Sequence, residues 1–320
     1  MPHSFSLNIA ITAWNKEALR HYEPVVASIL KFHPCTVFYA IVAKGLDVVS
    51  FRAFVEARGG VLTTKEERVP LSHELRPQDS MFLKLYHLVR WKHLDSLVQI
   101  DNDVLVRAPL DELFTLAVPG EISGVADCES GRRLTGINTG VIAFRPNTLS
   151  ISEDELHRWI DNYDPKCDGG YWRDQFLINV HCKTRCIDNK WNWQCMALKN
   201  YDAGRKLCED PVIVHWNGHK KPWRCETWCG SEAYLAEYRR VLATLHPEPV
   251  TLCYSVNNAK WTEYAVTSAW SAARHTPRPI ILRNQHRAGG KPSLACKPPE
   301  TRVLLSDHGS PVDGRNAAGC

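Results

Sequence analysis

The sequence predicts an α/β protein built from βαβ units around a mostly parallel sheet. Three observations carry this. From Leu7 to Ile100, short β-branched runs alternate with longer stretches of helical spacing. Leu97–Ile100 is a mostly apolar run too short to be a helix, and it stops abruptly at Asp101-Asn102-Asp103. The same alternation continues past that point to about Leu245.

In order, Leu7–Thr12, Thr36–Val42 and Val61–Thr63 read as strands, with helices at Lys16–Phe32 and Asp47–Ala57 between them. Gly59-Gly60 offers the second helix a stop. Asp79 or Ser80 can cap a helix running to Trp91, which leads into the strand Leu97–Ile100. Ile122–Val125 and Gly140–Phe144 read as further strands. Ser152 with Glu155 makes a capping box opening a helix to about Tyr163. A helix over Trp172–Cys182 follows, then an irregular Trp- and Cys-rich stretch, then the apolar strand Val212–Val214, which delivers His215.

The first domain therefore spans residues 1–245. After Pro247-Glu248-Pro249, residues 250–284 repeat the opening pattern at a constant offset of 243, aligning Asn15, Ser28 and Pro34 with Asn258, Ser271 and Pro277. This reads as the truncated start of a second copy. The Pro-, Gly- and Arg-rich residues 285–320 carry no apolar periodicity and are expected to be disordered.

Composition is that of a globular protein, with 44% hydrophobic and 23% charged residues in a chain of 320. A formal charge of +4 is too small and too dispersed to indicate nucleic acid or an anionic membrane as partner. No stretch supplies the ~20 consecutive apolar residues of a membrane span, and Met1–Ala10 lacks the pattern of a signal peptide. A cytoplasmic location is expected, the Golgi lumen being the alternative if an N-terminal anchor precedes this chain. Seven of the twelve cysteines (Cys167, Cys182, Cys186, Cys195, Cys208, Cys225 and Cys229) crowd into one region. Without a sequon or export signal they read as reduced thiols rather than bridges. Cys182-x3-Cys186 and Cys225-x3-Cys229 lack the tight pairing of a zinc site.

The chemistry concentrates in two places. In extended backbone, side chains two apart point the same way, so Asp101 and Asp103 converge while Asn102 faces away. Two hard oxygen ligands at the carboxyl end of a strand suit Mg²⁺ or Mn²⁺, with a phosphorylated substrate completing the shell. The second place is His215-Trp216-Asn217-Gly218-His219-Lys220-Lys221-Pro222-Trp223. There His215 offers a nitrogen ligand, Gly218 lets backbone approach a phosphate, and Lys221 offers a point charge to a departing diphosphate.

Four segments in order resemble glycosyltransferase family 8, the glycogenin-like and galactinol synthase-like enzymes. They are Asp101-Asn102-Asp103, Asn138-Thr139-Gly140-Val141, Asp174-Gln175 with Ile178-Asn179, and His-x-x-Gly-x-x-Lys-Pro-Trp at His215–Trp223. The resemblance implies a GT-A (Rossmann-like) nucleotide-diphospho-sugar transferase fold, with a mixed, mostly parallel sheet and helices on both faces. It also implies a nucleotide-sugar donor, a Mn²⁺ cofactor (Mg²⁺ as alternative) and retention of anomeric configuration. Carried residue by residue, it implies metal ligation by Asp101, Asp103 and His215, and diphosphate contact by Lys221 and Gly218. Lys84 matches a basic residue near donor and acidic side chains. Asp127 matches a carboxylate that contacts the donor sugar, and Asn138, Asp174 and Gln175 complete the sugar pocket. Asp127, Asp174 and Gln175 are the candidate catalytic groups, with Gly140, Thr12 and Asn15 as further substrate-binding candidates. In one departure, Ala18 stands where family members place a tyrosine that stacks on uracil, leaving Trp14 or Tyr22 as substitutes.

The expected activity is metal-dependent hexosyl transfer from a donor, UDP-linked by this resemblance, to an unidentified acceptor. The alternatives are a catalytically silent nucleotide-sugar-binding module and a nucleotidyltransferase on a similar sheet. The latter would carry a Gly-rich loop after Thr12, and none follows it.

Overall fold

The computed structural model describes residues 7–68, 77–127, 136–164, 166, 173–196, 210–226, 231–245, 280–284 and 303–307. The chain separates into two compact units, Met1–Val241 and Leu242–Cys320.

Three parallel strands, β1 (Asn8–Ala13), β2 (Val37–Ala43) and β3 (Val61–Glu67), open the first unit. Between them run α1 (Lys16–Leu30) and α2 (Val49–Glu56). Asn15 starts α1 by accepting a 2.7 Å hydrogen bond from the Ala18 amide, as N-cap asparagines do. Gly59, at φ +85°, turns the chain out of α2. The helix expected from Asp79 or Ser80 is instead a 3₁₀ segment, Pro77–Tyr86, followed by one turn of α-helix, α3 (His87–Arg90). Every residue from Phe82 to Leu88 is buried, so this segment packs into the core on all sides.

β4 (Leu97–Ile100) lies beside β1, and β5 (Val104–Val106) leaves the main sheet after the Asp101–Asp103 turn. Then come α4 (Asp111–Thr115), β6 (Ile122–Ala126), β7 (Ile137–Phe144), α5 (Glu153–Asp161) and α6 (Arg173–His181). The capping box is present, with Ser152 Oγ accepting from the Glu155 amide at 3.1 Å. β7 begins three residues earlier than the sequence predicts, so Asn138 and Gly140 lie inside a fully buried strand. β8 (Thr184–Ile187), β9 (Trp193–Gln194), β10 (Ile213–His215) and α7 (Glu232–Leu245) complete the list.

The seven-stranded sheet has the order β3-β2-β1-β4-β7-β6-β8, parallel except where β7 runs against β4 and β6. One apolar cluster on each side of this sheet makes the core, Ile9, Ile11 and Ile100 belonging to one and Ala10, Leu97 and Phe144 to the other. A small sheet, β5-β10-β9, carries His215 back to the main one, with His215 opposite Val104 in antiparallel register. Among the described residues, no helix is long and apolar enough to cross a membrane.

In the second unit, β11 (Ile280–Asn284) and β12 (Val303–Asp307) pair in parallel. Val303–Asp307 is thus a strand within the tail expected from the sequence to be disordered. The proposed repeat of the opening segment falls, apart from its last residues in β11, outside the described residues.

Candidate active site

The site forms where β1 and β4 end side by side and β10 crosses toward them. A cavity of about 440 Å³ opens there, lined by Thr12, Trp14, Asn15, His21, Lys84, Asp101, Asp103, Lys221 and Trp223 among others. The carboxyl ends of neighbouring parallel strands are the expected place for a ligand crevice in an open α/β sheet.

Asp101 and Asp103 do converge, but not through straight extended backbone. The chain turns at Asn102 and Asp103, and Asn102 itself lines the cavity. Two backbone bonds hold the turn. The Asp101 amide donates to the Gly140 carbonyl at 2.8 Å, and the Trp216 amide donates to the Asp103 carbonyl at 2.9 Å. The second bond draws β10 in, so that Asp101, Asp103 and His215 offer ligand atoms all within 4.8 Å of one another.

These three residues fit a hard divalent cation. His215 Nε2 lies 3.2 Å from Asp103 Oδ1, an oxygen that is buried and has no hydrogen-bond donor directed at it. An orphaned buried carboxylate oxygen facing a ring nitrogen is costly in an apolar setting, and a shared cation relieves it. Asp103 Oδ2 is met by Lys221 Nζ at 2.5 Å. Burial pushes the Asp103 carboxyl up, but the Lys221 ammonium beside it outweighs this and holds it below the usual carboxylate range. Lys221 also donates to the Trp216 carbonyl at 3.0 Å. Gly218 takes φ +81° in the turn between them, a conformation that favours glycine.

Lys84, expected near donor and acidic side chains, is buried between two carboxylates. Its Nζ lies 2.8 Å from Asp101 Oδ1 and 2.9 Å from Asp174 Oδ2. Burial alone would lower its pKa, yet Asp101 and Asp174 raise it above the ordinary lysine value, so it stays charged. Thr139 Oγ1 donates to the same Asp174 oxygen at 2.9 Å, while Asp174 Oδ1 is buried without a donor. Gln175 has both ends engaged: Oε1 accepts from the Thr139 amide at 3.2 Å, and Nε2 donates to Asp127 Oδ2 at 2.9 Å. All three candidate catalytic side chains thus belong to one hydrogen-bonded group around β7.

Other sequence-assigned residues have different local partners. Asn15 Oδ1 caps α1, and Thr12 Oγ1 faces His87 Nε2 at 3.0 Å, although both residues line the cavity. The Tyr22 hydroxyl accepts from the Thr12 amide and donates to the Ile100 carbonyl, which makes it a core group. Of the two aromatic substitutes for Ala18, Trp14 is the exposed one. Gly140 packs beneath His215, where an added Cβ would sit 2.1 Å from the imidazole Cε1.

Two contributors had no sequence signal. His21 stacks on Trp223 at a centroid distance of 3.7 Å beside the cavity. Asn192 contacts His215 Nδ1 at 2.9 Å from within the stretch read only as irregular. Among the described residues, the one cluster able to hold an ion is Asp101, Asp103 and His215. Cys182, Cys186, Cys195 and Cys225 are in no disulfide.

This sheet and site define a GT-A glycosyltransferase fold, and residues 71–227 match the family model of glycosyl transferase family 8. Glycogenin-2 of Homo sapiens is 25% identical over 192 residues, covering 57% of this chain and 36% of that protein. The hexosyltransferase GAUT11 of Arabidopsis thaliana is 24% identical over 168 residues, covering 44% of this chain and 30% of that protein. The chain therefore spans about a third of the length of these curated relatives. Among solved structures, the glycosyltransferase GlyE of Streptococcus pneumoniae TIGR4 superposes with a TM-score of 0.57 at 16% identity, over 87% of this chain and 75% of that one. The galactosyltransferase LgtC, solved with donor and acceptor sugar analogues, does so with a TM-score of 0.53 at 15% identity, over 80% of this chain and 99% of that one. At these identities the likeness is one of fold.

Proposed function

We propose that this chain transfers a hexose from a nucleoside-diphosphate sugar, with uridine as the base, to an acceptor, in a metal-dependent reaction that retains anomeric configuration. The observation that carries this reading is the convergence of Asp101, Asp103 and His215 at the cavity, with Lys221 beside them.

Asp101, Asp103 and His215 would hold Mn²⁺ or Mg²⁺, which when bound supplies Lewis-acid stabilisation of the departing diphosphate. Lys221 adds a fixed positive charge on the same side, where charge develops as the sugar–phosphate bond breaks. Lys84 holds Asp101 and Asp174 in place. Asp174, with one oxygen free of donors, is better suited than Gln175 to meet positive charge developing on the sugar. Asp127 and Gln175, tied together, would bind sugar hydroxyls. Trp14, exposed at the cavity, is the residue to stack on the base in the absence of a tyrosine at position 18.

The test is a panel of radiolabelled nucleotide-sugars, each with Mn²⁺ present and absent. Mn²⁺-dependent transfer or hydrolysis of a uridine-linked hexose is expected, lost in Asp101→Asn and Asp103→Asn. Calorimetric binding of donor without turnover of any panel member would replace the enzyme with a binding module.

A further inference from the structure

The polarity of the hydrogen bonds behind His215 can be read from one end to the other. The Gly140 backbone N–H donates to a side-chain atom of Asn138 at 3.0 Å, and a backbone N–H can only donate, so that atom is Oδ1. The same oxygen lies 2.9 Å from Asn192, which must therefore present its Nδ2. The other end of the Asn192 amide is then its oxygen, and that oxygen lies 2.9 Å from His215 Nδ1. An amide oxygen only accepts, so Nδ1 carries the proton. The Nε2 lone pair is left on the side of Asp103, 3.2 Å from Oδ1. Gly140 completes the arrangement from below, since any Cβ there would overlap the imidazole. Asn138, Asn192 and His215 are all buried, so water does not compete for these bonds.

We infer that Asn192 is a positioning residue which, oriented by Asn138 and seated with Gly140, locks His215 in the Nδ1-protonated tautomer and aims Nε2 at the metal position. The inference rests on the reading of Asp101, Asp103 and His215 as a metal site. It also gives Asn138 and Gly140 a role distinct from contact with the sugar. They shape the third ligand, and the Asn-x-Gly spacing follows because the oxygen of the first residue caps the amide of the last. Partners of a ligating histidine's second nitrogen typically affect metal affinity about 10–100-fold.

Two measurements on the purified full chain test this without turnover. Long-range ¹H–¹⁵N correlation of the histidine rings, at a pH above the histidine range and without metal, is expected to show His215 protonated at Nδ1. Wild-type protein protonated at Nε2 would overturn the inference. In Mn²⁺ titrations followed by the loss of the free-ion EPR signal, Asn192→Leu is expected to weaken binding about 10–100-fold. Asn192→Asp, which keeps an acceptor for Nδ1–H but loses the donor to Asn138 Oδ1, is expected to weaken binding less than Asn192→Leu. Equal affinity in wild type and Asn192→Leu, with binding still lost in His215→Ala, would overturn the role of Asn192 and leave the metal site standing. Binding unaffected by His215→Ala would overturn the metal site itself, while the tautomer measurement still judges the hydrogen-bond relay.

Discussion

Lys221 Nζ lies 2.5 Å from Asp103 Oδ2, joining residues 118 positions apart in the chain. Both belong to segments that the family resemblance marks, yet the contact between them defines the site more closely than either segment does. It places the positive charge proposed to meet a leaving diphosphate on a carboxylate that also faces the candidate metal position. Replacing Lys221 with Met is expected to lower kcat for donor turnover about 10²–10³-fold at saturating Mn²⁺, the scale for one lost electrostatic contact to a developing anion. An unchanged kcat with only KM raised would assign Lys221 to ground-state binding instead.

Lys84 is the counterpart on the other side of the site. It is buried between Asp101 and Asp174, so Lys84→Met leaves two carboxylates without their cation. A stability loss of about 3–5 kcal/mol in urea titrations is expected, because an uncompensated buried charge is what such a truncation creates. Adding Asp174→Asn to Lys84→Met should recover part of the loss, since the two sites are coupled. Strict additivity of the two variants would show that the pair does not stabilise the fold.

His87 should make the fold sensitive to acid. It is fully buried, its Nδ1 accepts from Trp91 Nε1 at 3.0 Å, and burial holds its pKa down to about 3 against an ordinary 6.5. The unfolded chain therefore takes up this proton first as pH falls. The contribution is complete above an unfolded-state pKa of about 6.5 and is lost progressively toward the folded value, by about 2 kcal/mol at pH 5. His87→Gln should flatten that part of the stability curve. Parallel curves for wild type and variant between pH 7 and 5 would refute the assignment.

Trp14 carries the proposed recognition of the base. Removing one aromatic stack is worth about 0.5–1.5 kcal/mol, so Trp14→Ala is expected to raise the donor KM about three- to tenfold with kcat little changed. Ala18→Tyr, restoring the family's aromatic at that position, is expected to offset the loss. An unaltered KM in Trp14→Ala would move the base elsewhere in the cavity, with the His21–Trp223 stack as the next surface to test.

Much of the architecture was legible in the sequence because its signals are local. Alternating β-branched and helical runs fixed the order of strands and helices, and the Asn15 and Ser152 caps sit where the residue types placed helix starts. Asp101, Asp103, His215 and Lys221 stand out only in combination, through four segments in the order of the family resemblance, since each alone has an ordinary structural explanation. The structure brings them into one cluster. The 3₁₀ form of Pro77–Tyr86 and the strands β5, β8 and β9 escaped notice, since brief segments take their conformation from tertiary contacts rather than from periodicity.

What the sequence by itself determined is therefore the element order, the ligand types and the family resemblance. What only the tertiary structure decided is which atoms meet. Asn192, between two tryptophans in an irregular stretch, has no distinguishing pattern, and it becomes meaningful only when β9 is brought beside β10. Gly140, a substrate-binding candidate in the sequence, is also the surface on which His215 rests. Hydrogen-bond polarity and close packing are relations between residues distant in sequence, so they exist only once the chain has folded.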